Sequence, residues 1–167
     1  MKRLPVELVY PDTSYWIAMR CRADDNHEAW KEFHPRIEHA RLLWSPWTHF
    51  EVFNTLRQLT LGSDAQLDEP EVRQLVSSFE RELQHGYYEL AILDWREELR
   101  ECRELSAQFG FKMTMRSGDV VQVAIARLAG ADAFVTCDRD QHDLAKAVGL
   151  ESWCVTQKRA RTSHRRN

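Results

Sequence analysis

The segment Ala133-Phe134-Val135-Thr136-Cys137-Asp138-Arg139-Asp140-Gln141 reads as a short buried strand that delivers an acid to the start of a helix. Ala133–Cys137 is the strand, Gln141–Val148 a short helix ended by Gly149, and Glu151–Val155 a final strand. A glycine just past the last helical turn can take the left-handed conformation that closes a helix. The same alternation of short apolar runs with longer helical stretches continues upstream. It predicts an α/β fold, a single domain with a central parallel sheet flanked by helices.

Val6–Pro11 is the first predicted strand and Thr13–Arg22 the first helix. Asp24 or Asp25 can cap a second helix running to about Ala40, and Leu42-Leu43-Trp44 is a short strand. Ser45-Pro46 has the order of a capping residue followed by proline in the first turn. Trp47, Phe50, Phe53 and Leu56 recur behind it at helical spacing. Residues 60–69 read as a loop, and Pro70–His85 as a helix. Tyr87–Leu93 fits either extended chain or helix. Asp94 and Glu97 resemble a capping box for a helix closed at Gly110, and Ser117 is the expected cap of a helix from Gly118 to Ala129.

A chain of 167 residues can bury a sizeable core in one domain. It has no apolar run of the roughly 18 residues that a membrane helix needs, and no signal-peptide pattern. Cys21, Cys102, Cys137 and Cys154 form no CxxC pair, so free thiols in a reducing cytoplasm are expected. The net charge of −3 is uneven: residues 158–167 carry +5, leaving −8 on residues 1–157. That basic tail reads either as an electrostatic arm for nucleic acid or as a solubilising, disordered terminus.

Four acids stand where such a fold could gather them. Asp12 and Asp138 follow predicted strands, and ligands of open parallel sheets bind at the carboxyl ends of strands. Glu51 and Asp119 lie near the starts of apolar-rich helices. Each has a plainer reading: Asp12 and Asp138 as helix caps, Asp119 as favourable first-turn charge, Glu51 as a solvated side chain. Taken together they match a carboxylate set that holds a hard divalent cation against a phosphate.

These motifs resemble those of PIN-domain ribonucleases, and most closely the VapC-type toxins of type II toxin–antitoxin modules. The resemblance rests on Asp12-Thr13-Ser14 after the first strand, Glu51 in Thr48-His49-Phe50-Glu51-Val52, the helix start Gly118-Asp119-Val120-Val121-Gln122, and Gly130 to Gln141. It spans about residues 7 to 155, which sets a nuclease domain at 1–157 and a tail at 158–167. It departs from the family at Val120-Val121-Gln122, where relatives often carry Ala, Leu and His.

The resemblance implies a metal-dependent ribonuclease with Asp12, Glu51, Asp119 and Asp138 as catalytic, metal-binding residues and Mg²⁺ or Mn²⁺ as cofactor. Asp140 and Thr136 match supporting positions. It also implies a cognate antitoxin partner and a homodimer. Arg116 and Arg139 are candidate RNA contacts, each equally readable as solvated charge. His49 would point away from Glu51 on a helix and is not assigned as a base. The tryptophans suggest core packing more than base stacking. The rival readings are a non-catalytic, PIN-like protein-binding scaffold and a phosphotransfer domain. The latter would want a second Asp where Ser14 stands.

Overall fold

The computed structural model describes residues 2–157. The chain runs β1 (Leu8–Pro11), α1 (Thr13–Arg20), α2 (His27–Phe33), β2 (Arg41–Trp44), α3 (Pro46–Gln58) and α4 (Glu69–Gln84). It continues through β3 (Glu89–Leu90), α5 (Trp95–Phe109), α6 (Ser117–Leu128), β4 (Ala133–Thr136), α7 (Arg139–Ala147) and β5 (Glu151–Cys154). The strands form one parallel sheet in the order β3-β2-β1-β4-β5. The basic tail at 158–167 lies outside the described residues.

Successive side chains on a strand face opposite sides, and this alternation divides the core in two. Val9, Trp44 and Val135 join Tyr15, Trp16, Trp30, Phe53 and Phe79 beneath α1 to α4. Tyr10, Leu43 and Phe134, one residue away on the same strands, join Leu105, Val123, Ile125 and Leu144 beneath α5 to α7. Trp16, Trp30 and Trp44 are fully buried, which bears out the core-packing reading for these three. Each buried aromatic side chain on this face contributes roughly 1.5–3 kcal/mol.

Strand β1 is pinned at both ends. At its start, the Asp132 carboxylate accepts from the Glu7 and Leu8 amides at 2.8 and 2.9 Å, fixing the register against β4. Farther along, the buried Tyr10 hydroxyl lies 3.1 Å from Ser45 Oγ and 3.0 Å from Thr48 Oγ1 at the start of α3. Ser45 caps that helix as expected, accepting from Thr48 N at 3.0 Å.

Three local expectations need correction. The helix expected from Asp24 to Ala40 begins only at His27 and gives way at His34–Arg36 to a 3₁₀ turn. Pro35 has no N–H to donate to an α-helical turn, and Asp24 instead closes a turn by accepting from Asn26 N at 2.8 Å. At α5, Asp94 accepts from Arg96 N at 3.0 Å, but Glu97 pairs with Arg100 instead of closing a capping box. Helix α6 starts one residue early: Arg116 is its N-cap and Ser117 its first helical residue. The ambiguous stretch at Tyr87–Leu93 contributes the two-residue edge strand β3.

Gly130 and Gly149 end α6 and α7 with φ of 68° and 89°, values that favour glycine. The four cysteines are free. Among the described residues, no helix is long and apolar enough to cross a membrane.

Candidate metal centre at the strand switch point

The chain leaves β1 toward β2 on one side, while β4 pairs on the other. The reversal therefore falls between the carboxyl ends of β1 and β4, where open α/β sheets form their ligand crevice. Asp12 and Asp138 emerge there, as their positions in the sequence led us to expect. The Asp12 N–H donates to Val135 O at 3.0 Å, so the two strand ends are tied together at the crevice.

Asp12 is 3% exposed. Its Oδ1 accepts from Ser14 Oγ at 2.5 Å and from Tyr15 N at 3.1 Å, and its Oδ2 from Thr136 Oγ1 at 2.7 Å. It therefore caps α1 and also faces the site. Loss of hydration pushes its carboxyl pKa up to about 6; the Ser14, Thr136 and Tyr15 donors oppose this, and the Glu51 charge adds to it.

Glu51 projects from the second turn of α3. Its Oε2 accepts from Thr13 Oγ1 at 2.8 Å and from the Gln122 amide. Burial raises its pKa most, and repulsion from Asp119 raises it further. Glu51 Oε1 lies against Gly118, 3.1 Å from the place a Cβ would occupy. Only a residue without a side chain leaves that space open.

Asp119 is buried at the start of α6. Its Oδ2 takes the Arg116 N–H at 2.9 Å, and its Oδ1 the Gln141 side-chain amide at 2.8 Å. Arginine has no acceptor with which to cap a helix, so Asp119 reaches back and satisfies the orphan amide.

Asp138 Oδ1 accepts from Asp140 N at 2.7 Å and Gln141 N at 3.4 Å, capping α7. Thr136 is fully buried; its Oγ1 accepts from Asp138 N at 2.8 Å. Asp140 is exposed and enters this set only through its backbone. Arg116 and Arg139 are exposed at the N-terminal ends of α6 and α7, beside the site. His49 stands away from Glu51, its ring 4.2 Å from that of Phe53.

The four carboxylates are thus drawn to one end of the sheet and held by hydroxyls and amides. Among the described residues, none of them forms an ion pair with Lys, Arg or His. Oxygen-only donors with uncompensated charge suit a hard divalent cation. Among the described residues, however, no three His, Cys, Asp or Glu side chains are grouped closely enough to hold an ion. The donor chemistry fits a metal, whereas the spacing is wider than a closed coordination shell.

The side chains that position these acids were not assigned from sequence: Thr13, Ser14, Gln122 and Gln141. All four lie within one helical turn of one of the acids, yet the Gln122 and Gln141 side chains bond a different acid from the one they follow. Thr13 and Ser14 directly follow Asp12, Gln122 lies one helical turn beyond Asp119, and Gln141 one turn beyond Asp138. Gln141 carried no local signal toward Asp119, which is 22 residues away.

A family model described as PIN domain matches residues 9–147. No curated protein matches the chain. Among solved structures, VapC20 of Mycobacterium tuberculosis, described as a sarcin–ricin-loop-cleaving toxin, superposes with TM-score 0.63 at 16% identity. That match covers 89% of this chain and 99% of the other. VapBC2 of Rickettsia felis, bound to a promoter DNA fragment, gives 0.58 at 11% identity, covering 87% and 97%. FitAcB of Neisseria gonorrhoeae gives 0.56 at 15% identity, covering 87% and 96%.

Proposed function

Because the chain belongs to the PIN-domain family, we propose that it is a metal-dependent ribonuclease, the toxin of a toxin–antitoxin pair acting in the cytoplasm. One observation carries this reading: four acids stand at one end of the sheet with neutral donors only, and Glu51 lies near enough to Asp12 and Asp119 for like-charge repulsion. Capping α1 and α7 needs only an acceptor that neutral Asn or Ser supplies equally well, whereas like charges near one another destabilise the folded chain. The set is accounted for if a cation and a phosphodiester complete it.

In this reading Asp12, Glu51, Asp119 and Asp138 hold Mg²⁺ or Mn²⁺. The bound cation supplies positive charge against the phosphodiester and acidifies water for attack. The protein's own part is orientation. Thr13 and Gln122 fix Glu51; Ser14, Tyr15 N–H and Thr136 fix Asp12; Gln141 and the Arg116 N–H fix Asp119. Glu51 Oε1 and Asp138 Oδ2 accept no hydrogen bond from the described residues, so they are the oxygens most open to a cation. Arg116 and Arg139 offer charge to flanking RNA phosphates. Thr136 and Asp140 act in support, Thr136 through Asp12 and Asp140 through its amide on Asp138.

The nuclease domain is assigned to residues 1–157, with 158–167 as a basic extension. The partners are RNA, a cognate antitoxin whose Arg or Lys can pair with the acids, and a second copy of the chain in a homodimer. The similarity to VapC20, a toxin that cleaves the sarcin–ricin loop, favours RNA over DNA.

The test is cleavage of a mixed RNA pool by purified protein with Mg²⁺, Mn²⁺ or EDTA, beside Asp12→Asn. Metal-dependent cutting that is lost in the variant is expected. Folded protein that neither binds metal nor cuts would instead favour the protein-binding scaffold.

A further inference from the structure

One buried side chain on α7 reaches an acid that lies 22 residues earlier in the chain. Gln141, 7% exposed in the first turn of α7, donates from Nε2 to Asp119 Oδ1 at 2.8 Å. Its Oε1 lies 3.1 Å from Thr136 Oγ1, which lies 2.7 Å from Asp12 Oδ2. The orientation of this amide follows from chemistry. The Asp119 carboxylate can only accept, so the NH₂ must face it and the carbonyl must face the Thr136 hydroxyl.

We propose that Gln141 is a positioning residue, which holds Asp119 from the α7 side, next to the Thr136–Asp12 hydrogen bond. The inference rests on the nuclease reading above. Both oxygens of Asp119 are engaged, one by the Arg116 backbone and one by Gln141, and Gln141 is the side chain among the described residues that donates to it. Without Gln141, the Asp119 carboxylate keeps a single tether and can turn about it. Thr136 has one proton and two candidate acceptors, and the shorter contact to Asp12 takes it. Gln141 therefore holds the site from the α7 side, much as Gln122 holds Glu51 from α6.

The experiment compares wild type with Gln141→Met, which keeps the length of the side chain but removes its donor and acceptor, and with Gln141→Leu. Mn²⁺ alone is titrated calorimetrically, and RNA cleavage is followed with separate kcat and KM. Loss of a partner that orients metal ligands costs about 10- to 100-fold in metal affinity. Weaker Mn²⁺ binding at unchanged stoichiometry, with lower kcat and similar KM, is expected. A merely structural role would lower the binding-competent fraction, and hence the stoichiometry, with affinity intact, and would overturn the proposal.

If wild type binds and cuts while both variants match it, the positioning role is wrong and the nuclease reading stands. If wild type does neither, the reading fails and the inference fails with it. If neither variant folds, Gln141 serves the fold and not the site, and the proposal is overturned.

Discussion

Thr136 Oγ1 donates to Asp12 Oδ2 at 2.7 Å, joining the carboxyl ends of β4 and β1 across the crevice. The same oxygen accepts the Asp138 N–H at 2.8 Å, so one hydroxyl serves two of the acids. Thr136→Val keeps the shape and removes both interactions. It should destabilise the metal-free protein by about 1–3 kcal/mol at pH 8, the range for a buried group left unpaired. Thr136→Ser should restore most of that loss. Urea unfolding of the three proteins checks this; equal midpoints for wild type and the valine variant would refute it.

The Asp12 carboxyl gives the metal-free protein a pH dependence of unusual sign. Its pKa rises from an ordinary 3.8 to about 6 on folding, chiefly through burial. Between those values the folded state holds more protons than the unfolded one, so stability must fall as pH rises through this window. A rise of that size corresponds to about 3 kcal/mol. In EDTA, the Asp12 contribution should be fully present below pH 4 and gone above pH 7. Asp12→Asn should flatten that part of the profile, because an amide takes up no proton in this range, and its oxygen still accepts from Tyr15 N. Melting curves across pH with and without the variant decide it; identical slopes would show that burial does not hold the Asp12 proton.

Gly118→Ala should separate stability from metal binding. Alanine favours a helix over glycine by up to about 1 kcal/mol. Its Cβ would stand 3.1 Å from Glu51 Oε1 and push the carboxylate aside by a few tenths of an ångström. The expected result is an unchanged or raised melting temperature in EDTA with weakened Mn²⁺ affinity. Calorimetry showing full affinity would mean that Glu51 Oε1 does not contribute.

Tyr10→Phe tests a support that makes no hydrogen bond to the acids. The buried hydroxyl bonds to Ser45 and Thr48, which also bond to each other at 2.9 Å. Its loss should cost about 1 kcal/mol, while RNA cleavage per folded molecule stays the same. A large drop in specific activity would show that this contact reaches the site.

The elements that make the fold were legible because they rest on local rules. Ser45-Pro46 announced α3, glycines at 130 and 149 closed α6 and α7, and the apolar run at Ala133–Thr136 could only be a buried strand. Local rules failed where two of them competed. Pro35 cut short a helix that a capping acid at Asp24 would otherwise license, and α6 took in Ser117 as its first residue, with Asp119 accepting the N–H of the N-cap Arg116.

The sequence by itself determined which acids exist and which strand ends and helix starts carry them, since those depend on neighbours a few residues away. Only the tertiary structure decided how they are held. Gln141 meets Asp119, Gln122 meets Glu51 and Thr136 meets Asp12 across separations of 22, 71 and 124 residues. No periodicity encodes such pairs: they follow from parallel strand order and from helices packed on two faces of one sheet, which bring distant polar side chains to a single crevice.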